Sequence, residues 1–148
     1  MISINQIKQL RDKTGLSITE CKKALEEAGG DVDKAKEVLR KLGKDVAVKR
    51  MGRATKEGII NSYIHAGKKV GILLELNCES DFVARSEDFE RLSHELCLQV
   101  AAMNPENQPL LEQAWVKDQS KTIKDLLDEH IAKFGENISI KRFTRYEL

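Results

Sequence analysis

Apolar residues recur at helical spacing three times within the first 43 positions. Ile4, Ile7 and Leu10 fall on one face, Ser3 and Gln6 form a capping box ahead of them, and Gly15 ends the run. Ser17 and Glu20 offer a second box. Ile18, Cys21, Leu25 and Ala28 follow, and Gly29-Gly30 stops the pattern. Asp31 can cap a third helix carrying Val32, Ala35, Val38, Leu39 and Leu42, with Gly43 at its C-terminal end. Three helices joined by such short turns predict a compact bundle over 1–43. About forty residues are marginal for independent stability, so support from neighbouring chain is expected.

Residues 44–56, KDVAVKRMGRATK, are weakly apolar and read as a basic linker, with a helical conformation open to it. The period then changes. GIINSYIHA from Gly58, a turn at Gly67-Lys68-Lys69, and VGILLELNC over 70–78 predict a β-hairpin. The second strand is mostly apolar, as expected of a strand covered on both faces. From Ser86 to Met103 Phe89, Leu92, Leu96 and Val100 form a helical stripe, with Glu87 and Asp88 in the first turn. Residues 104–119 look irregular, with Trp115 and Val116 as an apolar anchor. Ser120 or Thr122 starts another helix, with Ile123, Leu126, Leu127, Ile131 and Phe134 inward and Gly135 closing it. ISIKRFTRY, 138–146, is a final strand. The 57–148 core is thus hairpin, helix, helix, strand: an α+β fold with a small antiparallel sheet behind an N-terminal helical bundle.

Composition narrows the function classes. The chain has 148 residues and a formal net charge of +1, so no global field directs it to nucleic acid or membrane. Locally, residues 40–56 carry seven Lys/Arg against one Asp, and residues 75–95 carry seven Asp/Glu against two Arg. Cysteines at 21, 78 and 97 make neither a disulfide framework nor a zinc spacing. The start of the chain lacks the pattern of a secretory signal, and no apolar run reaches the roughly twenty residues of a membrane span. A cytosolic protein without membrane contact is expected.

The search for chemistry returns little. There is no phosphate-binding loop or dinucleotide fingerprint, and Gly67-Lys68 reads as a turn. His65, His94 and His130 sit on three different elements, without metal-ligand spacing. Cys78 has no identifiable base beside it, and Ser80-Asp81 are sequence neighbours, unlike a catalytic triad. The basic 40–56 stretch has no interleaved aromatics on which bases could stack. No catalytic residues, cofactor or metal are expected. One feature remains: the apolar strand ending at Cys78 breaks into Glu79-Ser80-Asp81 and at once presents Phe82 and Val83. Phe82 could fold back over the following helix, with Ser80 capping a short turn. Alternatively, Asp81-Phe82 could project as an aromatic wedge with a charge beside it, an efficient protein-binding hot spot.

Three motifs carry a family resemblance. ELNCESDFVAR, 75–85, resembles the translation elongation factor Ts signature, Glu-aliphatic-Asn-Cys-Gln/Glu-Thr-Asp-Phe-Val-Ala-Lys/Arg. LRDKTGLSITECKKAL, 10–25, is similar to that family's Leu-Arg-x-x-Thr-Gly…Cys-Lys-Lys-Ala-Leu pattern. GENISIKRF, 135–143, is similar to its Gly-Glu-Asn-Ile segment. Together they span nearly the whole chain in the family's order.

The resemblance implies a bundle like a ubiquitin-associated (UBA) domain, an α+β core and no active site. It implies nucleotide exchange on elongation factor Tu, the GTPase that delivers aminoacyl-tRNA. Asp81 and Phe82 match the family's Asp-Phe pair, whose Phe intrudes between helices of the GTPase near its magnesium site and loosens GDP. Ser80 stands where the family usually has Thr, and Val83 follows the pair. Arg11, Ile18 and Thr19 match positions that dock on the GTPase, where the family commonly has two bulky apolar residues and this chain has Ile18 and Thr19. Long members carry two related halves and a protruding helical hairpin. This chain has room for one half, and compact members complete themselves as homodimers. A symmetric dimer formed mainly by 110–148 is therefore expected, with the 138–146 strand and Trp115 contributing, and two sites for two GTPases. The rival reading is an RNA- or ribosome-associated module using 40–56 with Lys141, Arg142 and Arg145.

Overall fold

The N-terminal helices begin where the capping residues stand. In the computed structural model, which describes residues 1–148, α1 spans Ile4–Thr14, α2 Ile18–Glu27 and α3 Val32–Arg50. Ser3 and Gln6 satisfy each other's backbone N–H groups, and Ser17 and Glu20 do the same. Asp31 accepts from the amides of Asp33 and Lys34 at 2.9 and 3.1 Å. Gly15 ends α1 at φ +70, a left-handed value that suits glycine. Leu10, Leu16, Cys21, Ala24, Leu25, Ala35 and Leu39 form one buried cluster. Ile4 does not share Leu10's burial. It is 82% exposed, because it occupies the first turn, before the face rotates inward.

Helix α3 does not stop at Gly43 but continues to Arg50, taking in half of the basic stretch. Ala35, Leu39, Gly43 and Ala47 form a buried row at four-residue spacing. The place where a Gly43 Cβ would lie is 3.6 Å from the Asp128 carbonyl oxygen and 3.7 Å from the Ala132 Cβ. Gly43 is therefore a packing position rather than a cap. Arg50 Nε donates to the Gly135 carbonyl at 3.1 Å. These contacts join Asp128–Gly135 to Met1–Met51 in one compact unit. Gly52–Leu127 and Glu136–Leu148 make a second.

The second unit is built on β1 (Glu57–Ile64), β2 (Val70–Cys78) and β5 (Ser139–Glu147), an antiparallel sheet in the order β1-β2-β5. The hairpin register pairs Ile64 with Gly71 and Glu57 with Cys78. Its turn places Gly67 at φ +89 and Lys68 at φ +59. Strand β2 is central but is covered on one face only. Ile72, Leu74, Leu76 and Cys78 are buried, whereas Leu73 on the other face is 54% exposed. Helix α5 (Glu87–Ala102) packs on β1 and β2 through Phe89, Leu92, Leu96 and Val100, all fully buried. No helix covers the opposite face, hence the exposed leucine. Arg145 on β5 donates to the carbonyls of Val100 and Ala101, closing the C-terminal end of α5.

Residues 104–119 are less irregular than their composition suggests. A short 3-10 turn, Leu110–Glu112, leads to a small hairpin of β3 (Ala114–Trp115) and β4 (Asp118–Thr122). Its anchor is not Trp115-Val116, which are half-buried and exposed, but two fully buried glutamines. Gln99 Nε2 donates to Gln113 Oε1 and to the Ala114 carbonyl, and its Oε1 accepts from the Val116 amide at 3.0 Å. Gln113 in turn donates to the Gln108 and Met103 carbonyls. Helix α6 (Ile123–Phe134) starts from Thr122, whose hydroxyl accepts from the Asp125 amide at 3.1 Å, while Ser120 lies within β4. The architecture is α+β. No helix is long and apolar enough to cross a membrane.

Candidate partner-binding site

The apolar pattern of β2 ends at Cys78, and the chain leaves the sheet through Glu79 and Ser80 into α4, Asp81–Ala84. Ser80 takes extended backbone angles, and its hydroxyl accepts from the Val83 amide at 3.3 Å, capping this single turn. Its carbonyl accepts from the Ala84 amide and from the Cys78 thiol, each at 3.2 Å. Val83 and Ala84 are buried and seat the turn. Ser86 then accepts from the Phe89 amide, donates to the Val83 carbonyl at 2.7 Å and starts α5. The corner between β2 and α5 is thus held at both ends.

Phe82 does not fold back. It is 87% exposed, the largest exposure of any aromatic side chain here, because Val83 and Ala84 take the inward positions of a four-residue helix. Asp81 is exposed beside it and pairs with Arg85 at 2.7 Å. That partner is visible in the sequence as an i,i+4 acid–base spacing. Of the four corner residues singled out from sequence, Asp81 and Phe82 face solvent. Ser80 caps, and buried Val83 anchors rather than faces outward. Arg11, Ile18 and Thr19 lie in the other unit and are exposed, Ile18 as the first residue of α2.

The corner is also sewn to the segment before β5. Glu136 Oε1 accepts from the Glu79 and Ser80 amides at 3.1 and 2.9 Å, and its Oε2 accepts from the Ser80 hydroxyl at 2.6 Å. Reciprocally, Glu79 Oε2 accepts from the Asn137 amide, and Arg53 stands 3.6 Å from Glu79. Pattern reading of the residues passed over Glu136 and Asn137, because contacts across nearly sixty positions of chain leave no periodicity. The only signal was their place in the GENI motif.

The thiol at this corner is not a nucleophile. Burial, reinforced by the Glu136 carboxylate, pushes Cys78 up to about 11, so it is protonated at neutral pH. It donates its hydrogen to the Ser80 carbonyl instead. What the corner offers is an exposed aromatic ring beside a carboxylate, on a turn capped by Ser80 and seated by Val83 and Ala84.

Similarity to known proteins decides the family. The family model described as elongation factor TS matches residues 4–107 and again 79–148. The chain is 37% identical to elongation factor Ts of Syntrophomonas wolfei, over all of this chain and 91% of that protein. It is 43% identical to the elongation factor Ts of Coprothermobacter proteolyticus (99% of this chain, 98% of that one). The identity is also 43% with the Thermotoga maritima protein (99% and 96%). The chain belongs to the elongation factor Ts family. Elongation factor Ts serves translation elongation as the guanine-nucleotide exchange factor of elongation factor Tu, and that is the function here. The aligned span with the Syntrophomonas elongation factor Ts is 194 residues against 148 in this chain, so that relative carries residues that this chain lacks.

Proposed function

We propose that exchange is driven by the Asp81-Phe82 corner. Phe82 enters the GTPase of elongation factor Tu near its magnesium and phosphate site, and Asp81 exchanges Arg85 for a partner group as it docks. The observation that carries this reading is the exposed Phe82, with the exposed Asp81 beside it, on a turn seated by buried Val83 and Ala84 and capped by Ser80. Arg11, Ile18 and Thr19 supply a second contact from the N-terminal unit. The factor makes and breaks no covalent bond. It needs only to bind the nucleotide-free GTPase more tightly than the GDP-bound form. By reciprocity, its binding then weakens GDP by the same factor. Coupling of ~1–3 kcal/mol describes ordinary allostery, and efficient exchange calls for more. The site of action is the cytoplasm, where elongation proceeds.

The active form is a homodimer offering two such corners. On the uncovered sheet face, Ile60, Leu73, Ile64 and Tyr146 are all exposed, and Ile64 and Tyr146 flank Gly71 in one row. An antiparallel sheet usually turns polar side chains to water, and these four apolar ones, beside the Glu75–Arg142 pair, suit a second copy. On this reading the self-contact takes in β1 and β2 as well as the 138–146 strand. Trp115 lies half-buried with its Nε1 enclosed. The RNA-binding alternative is not favoured. Arg142 is paired with Glu75 at 2.9 Å, Arg145 caps α5, and Arg50 and Arg53 have partners within their own units.

Release of fluorescent GDP from elongation factor Tu on rapid mixing tests the corner. Fast release by the wild type and slow release by Phe82→Ala are expected. Equal rates would move the mechanism to other contacts.

A further inference from the structure

The GENI motif has no part in the exchange reading so far, yet its Glu136 accepts three hydrogen bonds from the corner. Both carboxylate oxygens are used: one takes two consecutive backbone N–H groups, Glu79 and Ser80, and the other takes the Ser80 hydroxyl. The same hydroxyl caps α4 by accepting from Val83. A serine hydroxyl has one hydrogen and can rotate. With Glu136 holding that hydrogen, the oxygen lone pairs are turned toward the helix amide. The carboxylate therefore fixes both the backbone and the cap of the turn that presents Phe82. The return stitch, Glu79 to the Asn137 amide, with Asn137 Nδ2 donating to the Arg53 carbonyl at 2.9 Å, keeps Glu136 itself in register.

We infer that Glu136 is a positioning residue for nucleotide exchange: it touches neither GTPase nor nucleotide, and acts by holding the Ser80 corner so that Phe82 is presented preorganised. The inference rests on the reading of Phe82 as the wedge. A four-residue helix makes too few internal hydrogen bonds to stay formed alone. Without the carboxylate, Phe82 samples many directions, and docking must order it at a loss of affinity for the nucleotide-free GTPase.

The test combines GDP release with hydrogen exchange at the corner, using Glu136→Ala, Glu136→Gln, Phe82→Ala and the Glu136→Ala/Phe82→Ala double variant. Loss of a charge-assisted contact of this kind is expected to slow release about tenfold in Glu136→Ala. Glu136→Gln, which keeps one acceptor oxygen, should lie between it and the wild type, and remains usable if the alanine variant fails to fold. In the Phe82→Ala background the Glu136 substitution should add less than about twofold, since it acts through the missing ring. The Val83 and Ala84 amides should exchange faster in both Glu136 variants. Unchanged exchange at those amides in a folded variant would overturn the inference, as would a full tenfold effect without Phe82. Wild-type release by Phe82→Ala would instead sink the wedge, leaving the amides alone to judge whether Glu136 holds the corner.

Discussion

A phenylalanine left in water forgoes burial worth about 1.5–3 kcal/mol, and this fold accepts that at Phe82 by burying Val83 and Ala84 beside it. Phe82→Ala should therefore leave stability within about 0.5 kcal/mol of wild type in urea unfolding, separating its effect on exchange from any effect on folding. Gly58 is the opposite case. A Cβ there would lie 2.3 Å from the Leu76 carbonyl oxygen and 2.8 Å from the Asn77 Cα, both backbone atoms that cannot step aside. Gly58→Ala should cost about 1–3 kcal/mol and show as a lower midpoint in urea. The thiols set an alkaline limit. Burial raises Cys97 from an ordinary value of 9.0 to about 11. Between these values the unfolded chain loses its proton first. The thiol's contribution is therefore intact below pH 9 and is lost as pH rises toward 11. Cys97→Ala should show a shallower decline of unfolding free energy over that window.

Among the elements, the helix starts were legible because a cap is a local event. Ser3, Ser17 and Asp31 cap as their spacing indicates, Thr122 was one of two candidates, and Ser86, where the helical pattern was read to begin, is the cap of α5. Ser86→Ala, which also removes the bond to the Val83 carbonyl, should cost about 1 kcal/mol in unfolding free energy. The 104–119 hairpin was not legible. Its anchor is a pair of buried amides, and glutamine in a sequence reads as surface. Gln99→Leu removes the acceptor for the Val116 amide and the donor to Gln113. A loss of about 1–3 kcal/mol is expected, with faster hydrogen exchange at Val116.

For the whole molecule, a sheet covered on one side leaves exposed apolar side chains, Ile60, Ile64, Leu73 and Tyr146, to be accounted for on its open face. If a second copy covers it, analytical ultracentrifugation of the wild type at micromolar concentration should give a dimer. Leu73→Lys should give a folded monomer, since it places a charge in the middle of an isologous contact. A wild-type monomer would remove the homodimer from the proposal and leave one corner per factor.

The sequence by itself determined most of the element types and many of their ends, the α+β class and the corner where the strand pattern breaks. Each is set by residues within a turn or two of chain, where spacing and caps act. Only the tertiary structure decided that α3 runs through Gly43, that β2 is open on one face and that Phe82 stays outside. It also supplied the carboxylate from position 136 that holds the corner. Those outcomes depend on which distant surfaces meet, and one-dimensional spacing carries no record of that.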